Sequence, residues 1–166
     1  MTKLLNFPSE VNDTSARIVA SGAVLMAAGY AITGWAWILI PLTYGFTARV
    51  LSGPTFSPLA RLATQVITPR LKGPHRIVPG PPKRFAQGIG ALFSISASVL
   101  YLVDLGTASR WVSAALSGPA FLEAAFGFCV GCKMFAGLMK IGVIPESVCV
   151  ECSDISSRLR AQGVIQ

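Results

Sequence analysis

Four cysteines fall into two C-x-x-C units, Cys129-Val-Gly-Cys132 and Cys149-Val-Glu-Cys152, with 16 residues between them. Two thiols at that spacing can close and reopen a disulfide, so each unit is a candidate redox or sulfur-transfer centre. Two such units about 15–20 residues apart also match a zinc ribbon, in which four thiolates hold one tetrahedral ion. Cys129, Cys132, Cys149 and Cys152 are therefore candidate catalytic residues and, in the alternative, candidate ligands for zinc or another soft metal. The plain alternative is packing, since a buried cysteine behaves as a small apolar residue. Two paired units in a chain with no other cysteine favour function.

The elements that must position these thiols follow from composition. The chain has 166 residues, 52% hydrophobic and only 13% charged. Its mean hydropathy is +0.60. A soluble domain carries about 25% charge, so these values exclude an ordinary soluble enzyme, a coiled coil and a disordered chain. They predict an all-α integral membrane four-helix bundle forming a single membrane domain over 1–166. A membrane-crossing helix needs about 20 apolar residues. Apolar runs place spans at about 15–33, 35–51, 85–105 and 119–142, the first two joined by a tight turn at Thr33-Gly34. Asn12, Asp13, Thr14 and Ser15 offer N-caps for the first. Pro119 is expected to start the fourth, after a short approach helix near 109–116.

Residues 52–84 form a basic, proline-rich loop. Within it Leu59, Leu62, Ala63, Val66 and Ile67 recur at helical spacing. Ser57 suits an N-cap and Pro58 the first helical position. An amphipathic helix on the membrane surface is expected there, followed by extended chain. The tail 145–166 is expected to hold a short helix. Seven cationic residues lie from Arg49 to Arg84, against one, Arg110, between spans three and four. Lys3, Arg17, Lys140, Arg158 and Arg160 fall on the same side as the loop if there are four spans. Cationic residues favour the cytoplasmic side, so both termini and the loop are expected there. The net charge of +7 then reads as a topology signal. No aromatic interleaving or binding module points to nucleic acid.

On this layout Cys129 and Cys132 lie in the inner, C-terminal half of span four, where apolar surroundings and the helix end raise a thiol pKa. Four thiolates at that depth would be hard to neutralise. Ser147 can cap a tail helix, placing Cys149 in its first turn as the more easily ionised thiol. Ten helical residues reach about 15 Å and seven extended ones about 23 Å, so the tail can fold back and the pairs can meet. Glu123, six and nine residues before Cys129 and Cys132, is expected to face away from both on a continuous helix, and either to carry a proton, to pair with Arg110 or Ser113, or to be hydrated near the outer end. Gly127 and Gly131 form a G-x-x-x-G packing face around Cys129. Trp35, Trp37, Trp111 and Tyr101 suit an aromatic belt at the outer boundary. His75 has no companion at ligand spacing.

Three segments, Phe56-Ser57-Pro58-Leu59-Ala60-Arg61, Pro81-Pro82-Lys83-Arg84-Phe85-Ala86-Gln87 and Gly127-Phe128-Cys129-Val130-Gly131-Cys132-Lys133, resemble an uncharacterised bacterial family of small four-span membrane proteins, a domain of unknown function. The resemblance implies a bacterial plasma-membrane location and the four-span architecture. It brings no established reaction. Relatives joined to thioredoxin-like partners tilt the reading toward thiol or sulfur chemistry. The architecture is also similar to that of quinone-linked disulfide-forming enzymes, but their working thiols face the oxidising side, whereas both pairs here face the cytoplasm.

The leading expectation is a membrane thiol protein whose two pairs exchange electrons or sulfur with a cytoplasmic thioredoxin-like or sulfurtransferase partner. A quinone is an allowed membrane acceptor, though no residue specifies one. The alternatives are a four-cysteine metal-binding protein, a transporter of a small sulfur anion, and a structural subunit of a larger membrane complex.

Overall fold

The computed structural model describes residues 8, 10–71 and 76–144. Cys149, Cys152, Ser147, Lys3, His75 and the expected tail helix lie outside them.

The chain opens with a short strand β1 (Glu10–Asn12) that pairs antiparallel with β2 (Ile77–Pro79). Asn12 then caps α1 (Asp13–Thr33), its side chain accepting from the N–H groups of Thr14 and Ser15. Gly34 ends α1 at φ 73°, the left-handed conformation that glycine adopts without Cβ strain. The expected turn is therefore present. A single helical turn, Ala36–Ile38, leads into α2 (Leu39–Ser52). Ser57 caps α3 (Pro58–Arg61), with Pro58 in the first turn, and the helical path continues through wider and tighter turns to Arg70. This amphipathic segment packs on the N-terminal end of α1. Ala60 and Ala63 meet Val19, and the Ser15 and Thr68 hydroxyls bond at 2.7 Å.

Helix α4 (Gly80–Leu102) begins earlier than the apolar run predicts. Pro81 and Pro82 fit its first turn, where no backbone N–H needs an intrahelical acceptor. Lys83 and Arg84 thus leave the expected loop and gain fixed helical positions. Helix α5 spans Gly106–Phe126 and α6 spans Val130–Lys140. Here the expected fourth span over 119–142, with a separate approach helix at 109–116, is corrected. The chain runs helical straight through Pro119 and breaks instead at Gly127–Cys129, where α6 turns by 99° from α5. Membrane helices tolerate an internal proline. The break is made by Gly127 in the left-handed region at φ 67°. Two arginines cap helix ends reciprocally: Arg17 of α1 donates to the carbonyls of Ala124 and Ala125, and Arg110 of α5 donates to those of Ala31 and Ile32. Positive charge suits both C-termini.

The result is an all-helical membrane bundle. α1 lies along α5, α4 packs between α2 and α5, and α6 crosses the N-terminal end of α4. Helices α1 and α4 are long and apolar enough to cross a membrane; α5 and α6 meet the same test only together, as a bent pair. Close packing depends on small residues. Ala23, Ala27, Ala91 and Ala97 fill the core with Tyr30, Leu42 and Leu116. Buried hydroxyls bridge helices, as where Tyr30 and Ser109 meet at 2.6 Å and Ser113 donates to Ala27. Leu25, Ile32, Ile40, Leu92 and Leu102 point outward and are exposed, as lipid contact requires. Trp35, Trp37 and Trp111 are also exposed, near the end opposite α6.

Candidate functional site

The break after α5 makes the site. Gly127 closes α5 and Cys129 takes an extended conformation (φ −84°, ψ 103°), becoming the N-cap of α6. Its sulfur accepts the backbone N–H of Cys132 at 3.3 Å. Cys129 is buried and Cys132 is half-buried. The first C-x-x-C pair therefore occupies the N-terminal turn of a helix and not the C-terminal half of one. That overturns the expectation that both thiols are raised by the helix end. An N-terminus presents free N–H groups and a partial positive charge, which favour a thiolate. G-x-x-x-G packing is corrected for the same reason. Gly127 lies in the turn, and only Gly131 makes a close approach, a Cβ there falling 2.5 Å from the Ala86 Cβ and 2.7 Å from its Cα. Phe135 packs on Phe85 one turn further, with ring centroids 5.6 Å apart. Together these contacts hold α6 across the first turns of α4.

Helix α6 has 11 residues and turns by 99° from α5, too short to cross a bilayer by itself, so the pair stands beyond the end of α5, beside the first turn of α4. The two thiols are chemically distinct there. The Cys129 thiol is held below its ordinary value, first by the hydrogen bond from the Cys132 thiol, then by the backbone N–H and the Lys83 charge; burial and Glu123 oppose this. Cys132 is pushed strongly upward, by the bond it gives to Cys129 and by burial. One thiol of the pair is thus suited to be the nucleophile and the other holds its proton.

Beside the pair lies a buried ion cluster drawn from three helices. Lys83, 6% exposed, donates to Glu123 at 2.6 Å and to Asp13 at 3.4 Å. Glu123 does not face away from the cysteines: the break resets the helical phase, and Glu123 and Cys129 border one cavity. Nor does it pair with Arg110 or Ser113, which bond to the carbonyls of α1. Arg49 of α2, 4% exposed, donates to Gln87 at 2.8 Å and to Ser57 at 3.4 Å, and lies over the Phe46 ring. Sequence reasoning missed Lys83, Asp13, Arg49 and Gln87 as site residues. The signal was present: Lys83 and Gln87 stand four apart in the P-P-K-R-F-A-Q segment, and Arg49 is a charge at the end of an apolar run.

Two cavities meet at Cys129. One, about 370 Å³, is bordered by Cys129, Cys132, Lys83, Asp13, Arg76 and Lys133. The other, about 260 Å³, runs into the bundle. Among the described residues no group of three His, Cys, Asp or Glu side chains is placed to hold a metal ion. Cys149 and Cys152 lie outside those residues, so the structure brings together one pair of the four expected thiols.

A family model described as a domain of unknown function (DUF4395) matches residues 11–140. The match takes in Cys129 and Cys132 and stops before Cys149. No curated protein and no solved structure matches the chain.

Proposed function

The chain belongs to that family, and from this premise we propose that it is a membrane dithiol protein in which Cys129 and Cys132 exchange electrons or sulfur with a thioredoxin-like or sulfurtransferase partner. The observation that supports the reading best is the position of Cys129 at the cap of α6, accepting the Cys132 N–H. The basic flank of the outer cavity, with Arg76 and Lys133, offers an approach for a partner surface. The excess of Lys and Arg on that side supports a bacterial plasma membrane location with both termini cytoplasmic.

The exchange runs as follows. The Cys129 thiolate attacks one sulfur of a partner disulfide, and the partner's other sulfur leaves as a thiolate. Cys132 then loses its proton and attacks the Cys129 sulfur, releasing the partner's second thiolate. One disulfide is broken and one is formed; the partner is reduced by two electrons and the Cys129–Cys132 pair is oxidised. Lys83 supports the first thiolate. Asp13, on the wall of the same cavity as Cys132, is a proton acceptor for the second. In sulfur exchange the Cys129 thiolate attacks the outer sulfur of a partner persulfide, the partner's cysteine leaves as a thiolate, and Cys129 carries the sulfur as a persulfide. Cys149 and Cys152 would pass electrons on as a second pair.

The test uses purified protein with an oxidised thioredoxin as probe. Cys132→Ser should trap a mixed disulfide through Cys129, visible on a non-reducing gel, and Cys129→Ser should trap none. If neither variant alters exchange and the wild type exchanges no faster than free dithiol, the reading is wrong. Cys149→Ser separates a relay through the second pair from turnover at the first pair alone.

A further inference from the structure

Resting on that reading, we propose that the inner cavity is a binding site for a lipid-soluble quinone, which takes the electrons of the Cys129–Cys132 dithiol. The cavity is about 260 Å³, and Cys129 forms part of its wall. A cavity of about 150 Å³ with apolar walls holds benzene, so this one has room for a substituted ring with two carbonyl oxygens. Ala23, Phe46, Phe93 and Leu116, from α1, α2, α4 and α5, supply apolar surface. Leu116 is ten residues from the inner end of α5, about 15 Å along the helix. That is about half of a 30 Å hydrocarbon core. A ligand reaching this depth must be small and must partition into lipid.

The thiol end of the cavity is polar in a particular way. Arg49, Gln87 and Glu123 border it together with Cys129. Arg49 is 4% exposed and bonds to Gln87 and Ser57, and no ion pair of the described residues includes it. A buried guanidinium without a carboxylate in contact is costly. The cost is explained if negative charge develops beside it during turnover. A permanent anion suits the site less well, because Glu123 shares the wall and the charges of Asp13, Glu123, Lys83 and Arg49 already cancel. A neutral ring that becomes anionic as it is reduced meets both conditions. The Gln87 amide, whose oxygen accepts from Arg49, keeps its N–H donors for a carbonyl oxygen.

The step balances. Both S–H bonds are broken and one S–S bond forms. The two electrons and two protons convert the quinone to the quinol. Thiol–disulfide exchange is reversible, so a reduced partner dithiol re-forms the Cys129–Cys132 dithiol and leaves as a disulfide; Cys129 borders both cavities, and electrons pass from the soluble partner on one side to the quinone on the other.

Decylubiquinone is a suitable probe, because its ring is fully substituted and resists direct thiol addition. Pre-reduced protein in detergent, under anaerobic conditions, should lose two thiols for each quinol formed. The Cys129→Ser/Cys132→Ser double variant should bind the quinone and not reduce it. Ala120→Leu, which fills the cavity, should weaken binding at least tenfold, with elution profile and free-thiol count reporting the fold. The proposal is overturned if wild-type protein shows no saturable binding, if the double variant reduces the quinone as fast as wild type, or if a tightly held phospholipid chain fills the cavity and excludes the probe. Exchange with thioredoxin in a sample that ignores the quinone would sink this proposal and leave the dithiol reading standing; loss of both would sink both.

Discussion

Lys83 Nζ lies 2.6 Å from Glu123 Oε1, joining the first turn of α4 to the last turn of α5 with both side chains nearly buried. Forty residues separate them in the chain, yet their charges are paired beside the cap of α6. Burying either one alone would cost several kcal/mol, and pairing makes both tolerable. The pair also ties together the two helices that α6 must bridge.

Breaking that pair should destabilise the bundle. Lys83→Met leaves Glu123 without its cation, and a loss of about 3–5 kcal/mol is expected from an uncompensated buried charge. Thermal unfolding in detergent measures it. The Lys83→Met/Glu123→Leu double variant should recover much of the loss; a double variant no more stable than the worse single one would show that the charges act independently.

The same two residues should move the Cys129 titration in opposite directions. Lys83 lowers the thiol pKa and Glu123 raises it. Glu123→Gln should therefore shift the pH profile of Cys129 alkylation to lower pH, and Lys83→Met should shift it to higher pH. The reactive form is the thiolate, so the rate rises with pH through the inflection. Shifts of the same sign would contradict the arrangement.

Iodoacetamide at neutral pH should label Cys129 before Cys132. Cys129 is held below the ordinary thiol value and Cys132 well above it. A preference of roughly tenfold corresponds to about 1.4 kcal/mol, one pKa unit. Mass spectrometry of early time points reads it, and equal labelling would remove the distinction between nucleophile and resolving thiol.

Gly131→Val should pry α6 from α4. The added Cβ meets the backbone of Ala86 as well as its side chain, so no rotamer change relieves the overlap. Overpacking of this kind costs about 1–3 kcal/mol. A lowered Tm together with faster Cys129 labelling is expected. Wild-type behaviour in both would mean that α6 docks elsewhere.

Metal content separates the dithiol from the four-cysteine alternative. Anaerobically purified protein should contain free thiols whose number changes by two with a mild oxidant. One zinc ion per chain, lost in Cys149→Ser, would instead support a site shared by both C-x-x-C units.

The membrane character, the all-helical class and the turn at Gly34 were legible in the sequence, because each depends on local composition. Asn12, Ser57 and Pro58 likewise act on helix ends within a few residues of themselves. The family resemblance also held. The end of the fourth long helix was not legible. Hydropathy sums over a window, and the apolar run continues unbroken from α5 into α6. The bend depends on Gly127 in a left-handed conformation, on Arg17 meeting the last carbonyls of α5, and on Gly131 fitting against Ala86. Two of those contacts join residues far apart in sequence. Moving the break from Ser117–Pro119 to Gly127–Cys129 placed Cys129 at a helix N-terminus and brought Glu123 to its side of the bundle. The sequence determined which residues could do chemistry and in what solvent. The tertiary structure alone decided that Cys129 caps a helix and which charges stand beside it, because helix ends and buried ion pairs are set by contacts between helices.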